Sequence, residues 1–327
     1  MGTNVNVFPG ATPRQRRVAT GVITGPGQRL ILDISKENFQ KEHMLLFNLS
    51  MANVGAPTAV DISRMGKLVQ SVVLRVAGPQ GGELYNCSGL LAHLLTATQE
   101  NSPSAITPLA APQTVQFGLE LHHENDAALR SLMTALNGDK ATGITMEITM
   151  GALADARSIA GGPYVAAAAM TTMTGTVDVI VSEVATRNLL GVAGVAIGRH
   201  FAREKLGAIA GAGQVTTLLE IGNRTRGLLI SVEAATGVGS DALVSNLALQ
   251  IGGETFLDVS WFAARMKSCV DSNVNGVGLV WIPFSQENEQ GFLDLKNVNQ
   301  AHLVSTFTGA GQIRVLQDYS EGLIPQG

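Results

Sequence analysis

The sequence predicts an all-β chain of two tandem antiparallel β-sandwiches with short inserted helices. The first observation behind this is a repeat. Gly21-Val-Ile23-Thr-Gly25-Pro-Gly27-Gln28 returns as Gly207-Ala-Ile209-Ala-Gly211-Ala-Gly213-Gln214, identical at five of eight positions at an offset of 186 residues. Self-similarity of this kind is the signature of a duplicated structural unit. The second observation is the alternation of apolar and polar residues in short runs rich in β-branched side chains, separated by Gly, Pro, Asn and Asp. The third is that helical patterns do not alternate with strand patterns, which argues against βαβ units.

The first copy has strand patterns at Leu30–Ile34, Leu45–Ala52, Val69–Val76, Val115–His122, Ile144–Thr149 and Val177–Val184. Two stretches have helical spacing: Ser88–Thr98, behind an N-capping serine, and Asn125–Leu136. The second copy follows in the same order. Leu45–Ser50 matches Leu228–Glu233, and Val69–Val76 matches Val244–Ile251. The turn Gly81-Gly82-Glu83 matches Gly252-Gly253-Glu254, and Leu90–Leu95 matches Trp261–Met266. Phe117–Leu121 matches Val277–Trp281, and the closing strand Gly175–Ile180 matches Gly311–Leu316. About eight strands per copy, with a helix set into a loop, fits a jelly roll best among sandwiches.

The expected divisions are an N-terminal basic arm at 1–18, a first jelly roll at 19–186, a linker at 187–206 and a second jelly roll at 207–327. Ala152–Met173, rich in small residues and aperiodic, reads as a long surface loop packed against a neighbour. Gly25 and Gly211 are expected to hold turn geometry closed to β-branched residues.

With 327 residues, 45% hydrophobic and only 15% charged, the chain can form two cores and has the low charge of a protein that buries surface against other copies. A net charge of −4 gives no general attraction to nucleic acid. The start is polar and has no signal-peptide pattern, and the longest apolar stretch, Leu189–Gly198, is too short to span a bilayer. These features point to a soluble protein made in a cytoplasm. Cys87 and Cys269 are too few for a disulfide framework and are expected in separate domains.

No constellation for catalysis stands out. The glycine turns precede strands rather than helices, so they do not form a dinucleotide-binding fingerprint. Leu121-His122-His123-Glu124 has the residue types of a cupin-like metal site, but adjacent histidines on a strand point to opposite faces. The reading assigns no catalytic, cofactor-binding or metal residues. Glu120, Asp126, Asp155 and Glu287 fall at strand ends or in turns, and Trp261, Phe262 and Trp281 read as core of the second copy. Arg14, Arg16 and Arg17 form a basic cluster, either a solvated terminus or a contact with an anionic surface.

The tandem of two such rolls resembles the double jelly-roll major capsid proteins of tailless, membrane-containing DNA bacteriophages, the tectivirus and corticovirus group. The run Val244–Ile251, the turn Gly252-Gly253-Glu254, the helix after it and the closing strand Gln312–Leu316 carry the resemblance. It implies upright rolls and a homotrimer acting as a pseudo-hexameric tile of an icosahedral capsid. It also implies an inward N-terminal arm that would bring Arg14, Arg16 and Arg17 toward an internal lipid membrane. Penton or vertex proteins would be further partners, with no sequence-specific nucleic acid and residence in the virion. Two other classes remain open: a sugar-binding or adhesin-type double sandwich, and a bicupin-like metalloenzyme.

Overall fold

A computed structural model describes residues 14–322 apart from 56, 79–80, 101–104, 107–112, 124–134, 167–168, 185–197, 273, 275 and 285–291. The first half contributes β1 (Arg14–Ile23), β2 (Arg29–Asp33), β3 (Phe39–Val54), β4 (Val69–Ala77), β5 (Gly82–Cys87), α1 (Gly89–Glu100), β6 (Gln113–His122), β7 (Gly143–Met150) and β8 (Ala169–Val184). The second contributes β9 (Gly198–Ile209), β10 (Gly213–Leu218), β11 (Arg224–Glu233), β12 (Val244–Ile251), β13 (Glu254–Ser260), α2 (Trp261–Ser272), β14 (Leu279–Pro283), β15 (Ala301–Phe307) and β16 (Gly311–Gly322).

Each half folds as a jelly roll. In the first, β1-β8-β3-β6 form one sheet and β2-β7-β4-β5 the other; in the second, the sheets are β9-β16-β11-β14 and β10-β15-β12-β13. Every stretch matched between the copies in the sequence leads to the same element in both rolls, with the residue match displaced by one in the helices and by two in the closing strands. Alternation drives the layering: along β7, Ile144, Met146, Ile148 and Met150 face inward, while Thr145, Glu147 and Thr149 lie between them toward the outside. Between the sheets of the first roll, Leu45, Phe47 and Leu49 meet Val72, Leu74 and Val76, with Phe47 stacked on Phe117 at 4.7 Å between ring centres. The second roll has its own cluster, including Leu228, Ile230, Val232, Leu247, Leu249, Leu303 and Val315.

The structure differs from the sequence reading in several places. β3 and β8 each run 16 residues, longer than the expected strands, because they pair along most of their length through two register shifts. β1 begins at Arg14, within the stretch read as an arm, and β9 begins at Gly198, within the stretch read as a linker. Ala152–Met173 has more structure of its own than the expected loop. Its described part forms two 3₁₀ turns and a short strand, Tyr164–Val165, that pairs with Ala59–Val60, and it leads into β8. Ala156, Tyr164, Met170 and Met173 are buried in the chain's own core, with the Tyr164 hydroxyl 3.8 Å from Met51 Sδ. The helix expected over Asn125–Leu136 falls outside the described residues except at its end, where Leu136 lies in a short strand pairing with β3.

The turn glycines also shift. Gly25 and Gly211 have open space around a notional side chain, and neither has positive φ. The conformations that favour glycine are instead at Gly27, φ 69°, and at Gly252 and Gly253, φ 60° and 91°. The last two make the tight two-residue turn between β12 and β13, with Ile251 opposite Glu254.

Candidate functional site

The chemistry that links the two rolls is concentrated where they meet. β5 of the first roll pairs in parallel with β9 of the second, Tyr85 beside Ala202 and Asn86 beside Arg203. This joins two sheets into one, in the order β14-β11-β16-β9-β5-β4-β7-β2. The outward face of the second roll's sheet then packs on the first roll. Leu229, Leu279, Trp281, Leu316 and Tyr319 share one buried cluster with Leu90, Leu91, Leu94 and Leu95 of α1. Burying each such side chain contributes about 1.5–3 kcal/mol, so this apolar contact dominates the junction.

Two buried polar groups fix its register. His200 on β9 bridges the rolls: its Nδ1 contacts the carbonyl of His122 and its Nε2 the Asp318 carboxylate. Arg226 Nε lies 2.7 Å from the other Asp318 oxygen, and the Tyr85 hydroxyl donates to the same His122 carbonyl. Burial alone would raise the Asp318 carboxyl, but Arg226 and His200 outweigh it and hold the group below the usual carboxylate range. Further along, buried Glu233 on β11 takes Lys67 Nζ at 2.8 Å, the Gln312 amide at 2.7 Å and Arg314 Nε at 3.5 Å. Burial opposes ionisation there too, and Lys67 and Arg314 outweigh it, so the Glu233 carboxyl is also lowered. Arg64 donates to the Val277 carbonyl across the same boundary. At the start of α1, Ser88 caps Leu91 N–H at 3.4 Å, while Glu204 of β9 accepts the Ser88 N–H and holds Arg314 at 2.8 Å. A carboxylate at a helix N-terminus is favoured by the helix dipole.

The three arginines of the basic cluster lie on β1 and have partners. Arg14 and Arg16 converge on Glu183, whose side chain is fully buried, at 2.8 and 3.2 Å. Arg17 pairs more loosely with Asp178 at 3.5 Å and is the most exposed of the three, at 66%. The histidine pair divides as adjacent strand residues must. His122 stays near the surface beside Glu120 at 3.2 Å, while His123 turns inward and meets His43 at 2.7 Å. Among the described residues no group of three or more His, Cys, Asp or Glu side chains is placed to hold a metal ion. Asp155 accepts the Ala152 N–H at 2.8 Å, whereas Asp126 and Glu287 lie outside the described residues. Cys87 and Cys269 are both free. Trp261 is in the core of the second roll as expected, Trp281 is buried at the junction with the first roll instead, and Phe262 is in neither: helical spacing turns it away from Trp261 and Ala264 into solvent. Among the described residues, no helix is long and apolar enough to cross a membrane.

Sequence reasoning missed the junction residues His200, Arg226, Glu233 and Asp318, because they come from separate strands with no common spacing. The one local signal was charge inside an apolar run, as in Val315-Leu316-Gln317-Asp318-Tyr319.

No family model matches the chain, and no curated protein matches it in sequence. Solved structures do match along nearly its whole length. The major capsid protein of STIV, Sulfolobus turreted icosahedral virus, is 15% identical, with 94% of this chain and 96% of that one covered and a TM-score of 0.70. The major capsid protein P2 of bacteriophage PM2 is 13% identical over 97% and 100%, with a TM-score of 0.56. The Faustovirus major capsid protein is 8% identical over 98% and 92%, with a TM-score of 0.58. The chain therefore has the double jelly-roll fold of these viral major capsid proteins.

Proposed function

We propose that this chain is the major capsid protein of an icosahedral virus. Three copies form a ring of six similar sandwiches, and each ring fills a hexagonal position in the shell. The observation that carries this reading is the joining of two like jelly rolls side by side through a shared sheet and a buried junction. A closed threefold ring of such units presents sixfold shape while obeying the symmetry of a small homo-oligomer. The capsid proteins similar to it over more than nine-tenths of its length support the same role.

The finer parts of the reading belong to this proposal. The chain divides into an arm at 1–18, a first roll at 19–186, a linker at 187–206 and a second roll at 207–327, with β1 and β9 reaching back into arm and linker. The protein is made in the cytoplasm of a bacterial host and resides in the virion with vertex proteins as further partners. An internal membrane faces the arm end, where Arg17 has the weakest commitment within the fold and Arg14 and Arg16 serve Glu183 first. Co-sedimentation with anionic vesicles tests that last part: R17E should reduce binding, and unchanged binding would remove the arginines' membrane role.

The test of the main proposal is the solution mass by light scattering. A species of about 103 kDa, three times the 34.2 kDa chain, is expected. A monomer or a dimer at all concentrations contradicts it.

A further inference from the structure

The internal repeat places an exposed apolar stripe of the second roll in register with a buried one of the first. Aligned on their capping serines, Ser88 and Ser260, Leu90 and Leu94 of α1 correspond to Phe262 and Met266 of α2. Leu90 and Leu94 are 1% and 3% exposed, whereas Phe262 and Met266 are 74% and 52% exposed, and Val270 continues their stripe one turn on. Isolated exposed apolar residues are ordinary, but a contiguous stripe on one helix face marks an interaction surface.

What covers α1 indicates what covers α2. Within the chain, α1 packs on the 3₁₀ segment Ile62–Leu68 and on β6 and β4 of its own roll, and its remaining side is closed by the outward face of the second roll's sheet, where β11 touches it and Leu229 shares its buried cluster. By the same repeat, Leu229 corresponds to Leu46 on the outward face of the first roll's sheet; Leu316 stands opposite Leu229, whereas Asp178 stands opposite Leu46, with Ile180 two residues further along the same face. Leu229 is fully buried and Leu46 is 38% exposed, with Ile180 half-buried. The chain thus carries both halves of its own junction a second time, unpaired and at opposite rolls: a bare α2 and a bare β3–β8 face. An apolar-lined groove of 370 Å³ between Val244, Trp261, Phe262, Met266 and Cys269 offers a seat for side chains beside the stripe.

We infer that α2 of one copy docks, through Phe262 and Met266, on the outward β3–β8 face of a second copy around Leu46 and Ile180. The contact repeats between chains the relation that α1 bears to β11 within one. It is a head-to-tail contact between different surfaces, which closes into a ring when the rotation allows. The inference rests on the capsid reading and supplies its subunit contact. The two junctions need not share residues: Glu233, which anchors Lys67 within the chain, is matched by Ser50, and the face around Leu46 carries the Arg17–Asp178 pair instead.

The double variant F262D/M266E tests it, compared with wild type by light scattering and circular dichroism. Both side chains point to solvent, so the variant should fold with an unchanged spectrum. Its association should weaken by at least about 30-fold, the scale of losing one interface hot spot, leaving monomer where wild type is oligomeric. In a C269S background, L46C/F262C should oxidise to a disulfide between chains, giving covalent species that end at three. A folded F262D/M266E with the wild-type mass, or no crosslink in an oligomeric L46C/F262C, overturns this surface while leaving the capsid reading intact. A wild-type protein that is monomeric at every concentration overturns both.

Discussion

His43 and His123 share one hydrogen bond in the first roll's core, and each neutral ring has one N–H and one lone pair. Whichever way the proton points, His43 Nε2 and His123 Nδ1 are left without partners. Burial pushes the His43 imidazole down to about 3, and burial together with the neighbouring His43, His200 and His122 pushes His123 well below its ordinary value. The unfolded chain therefore takes up these protons first, near pH 6.5, and stability present above that pH is lost as the pH falls toward 3. The slope is at most about 1.4 kcal/mol per pH unit for each ring. Denaturant midpoints from pH 7.5 to 4.5 should show this decline, and H43L/H123L should flatten it. At pH 7.5 the double variant should match wild type within about 1 kcal/mol, since removing both partners removes the orphaned atoms, whereas H43A alone should cost about 1–3 kcal/mol. Asp318 also loses its contribution as the pH falls, but it differs in being a charged group whose partners satisfy it. D318A strands His200 and Arg226 at the junction and should cost about 3–5 kcal/mol in the same denaturation series.

At the level of elements, the glycine turns offer a clean contrast. G253V forces a β-branched residue to φ 91° in the β12–β13 turn and should cost about 1–3 kcal/mol in thermal or urea unfolding. G211V, in open space without positive φ, should change stability by less than about 0.5 kcal/mol. The sequence reading put the constraint two residues early at Gly25 and Gly211, because a repeated glycine reveals a turn without revealing which residue bears the unusual backbone angle. Other elements were readable because their cause is local. Alternation marked β7, the serine cap marked α1, and the copy-to-copy match placed β11, β12 and β16 in their rolls. Strand length in β3 and β8 was not readable, since it depends on long-range pairing. The fate of Ala152–Met173 hung on Tyr164, a single large anchor among small residues that periodicity does not register. The junction was hidden for a similar reason: its residues meet only once β5 and β9 lie side by side.

At the scale of the molecule, the end of the proposed arm, from Arg14 on, is already part of the first roll's sheet. Removing residues 1–12 leaves β1 whole, whereas removing 1–17 takes its first four residues and deprives buried Glu183 of Arg14 and Arg16. The longer truncation should lower stability by about 3–5 kcal/mol, read as an earlier melt, while the shorter one should melt with the full chain. The central claim is that duplication lets a threefold assembly occupy a sixfold position, using a contact between copies that imitates the contact within one. Electron-microscope class averages of the isolated oligomer test it most directly. The account predicts a closed hexagonal outline with six sandwich-sized densities around one axis. A twofold particle, an open chain of copies, or a ring with any other number of densities contradicts it.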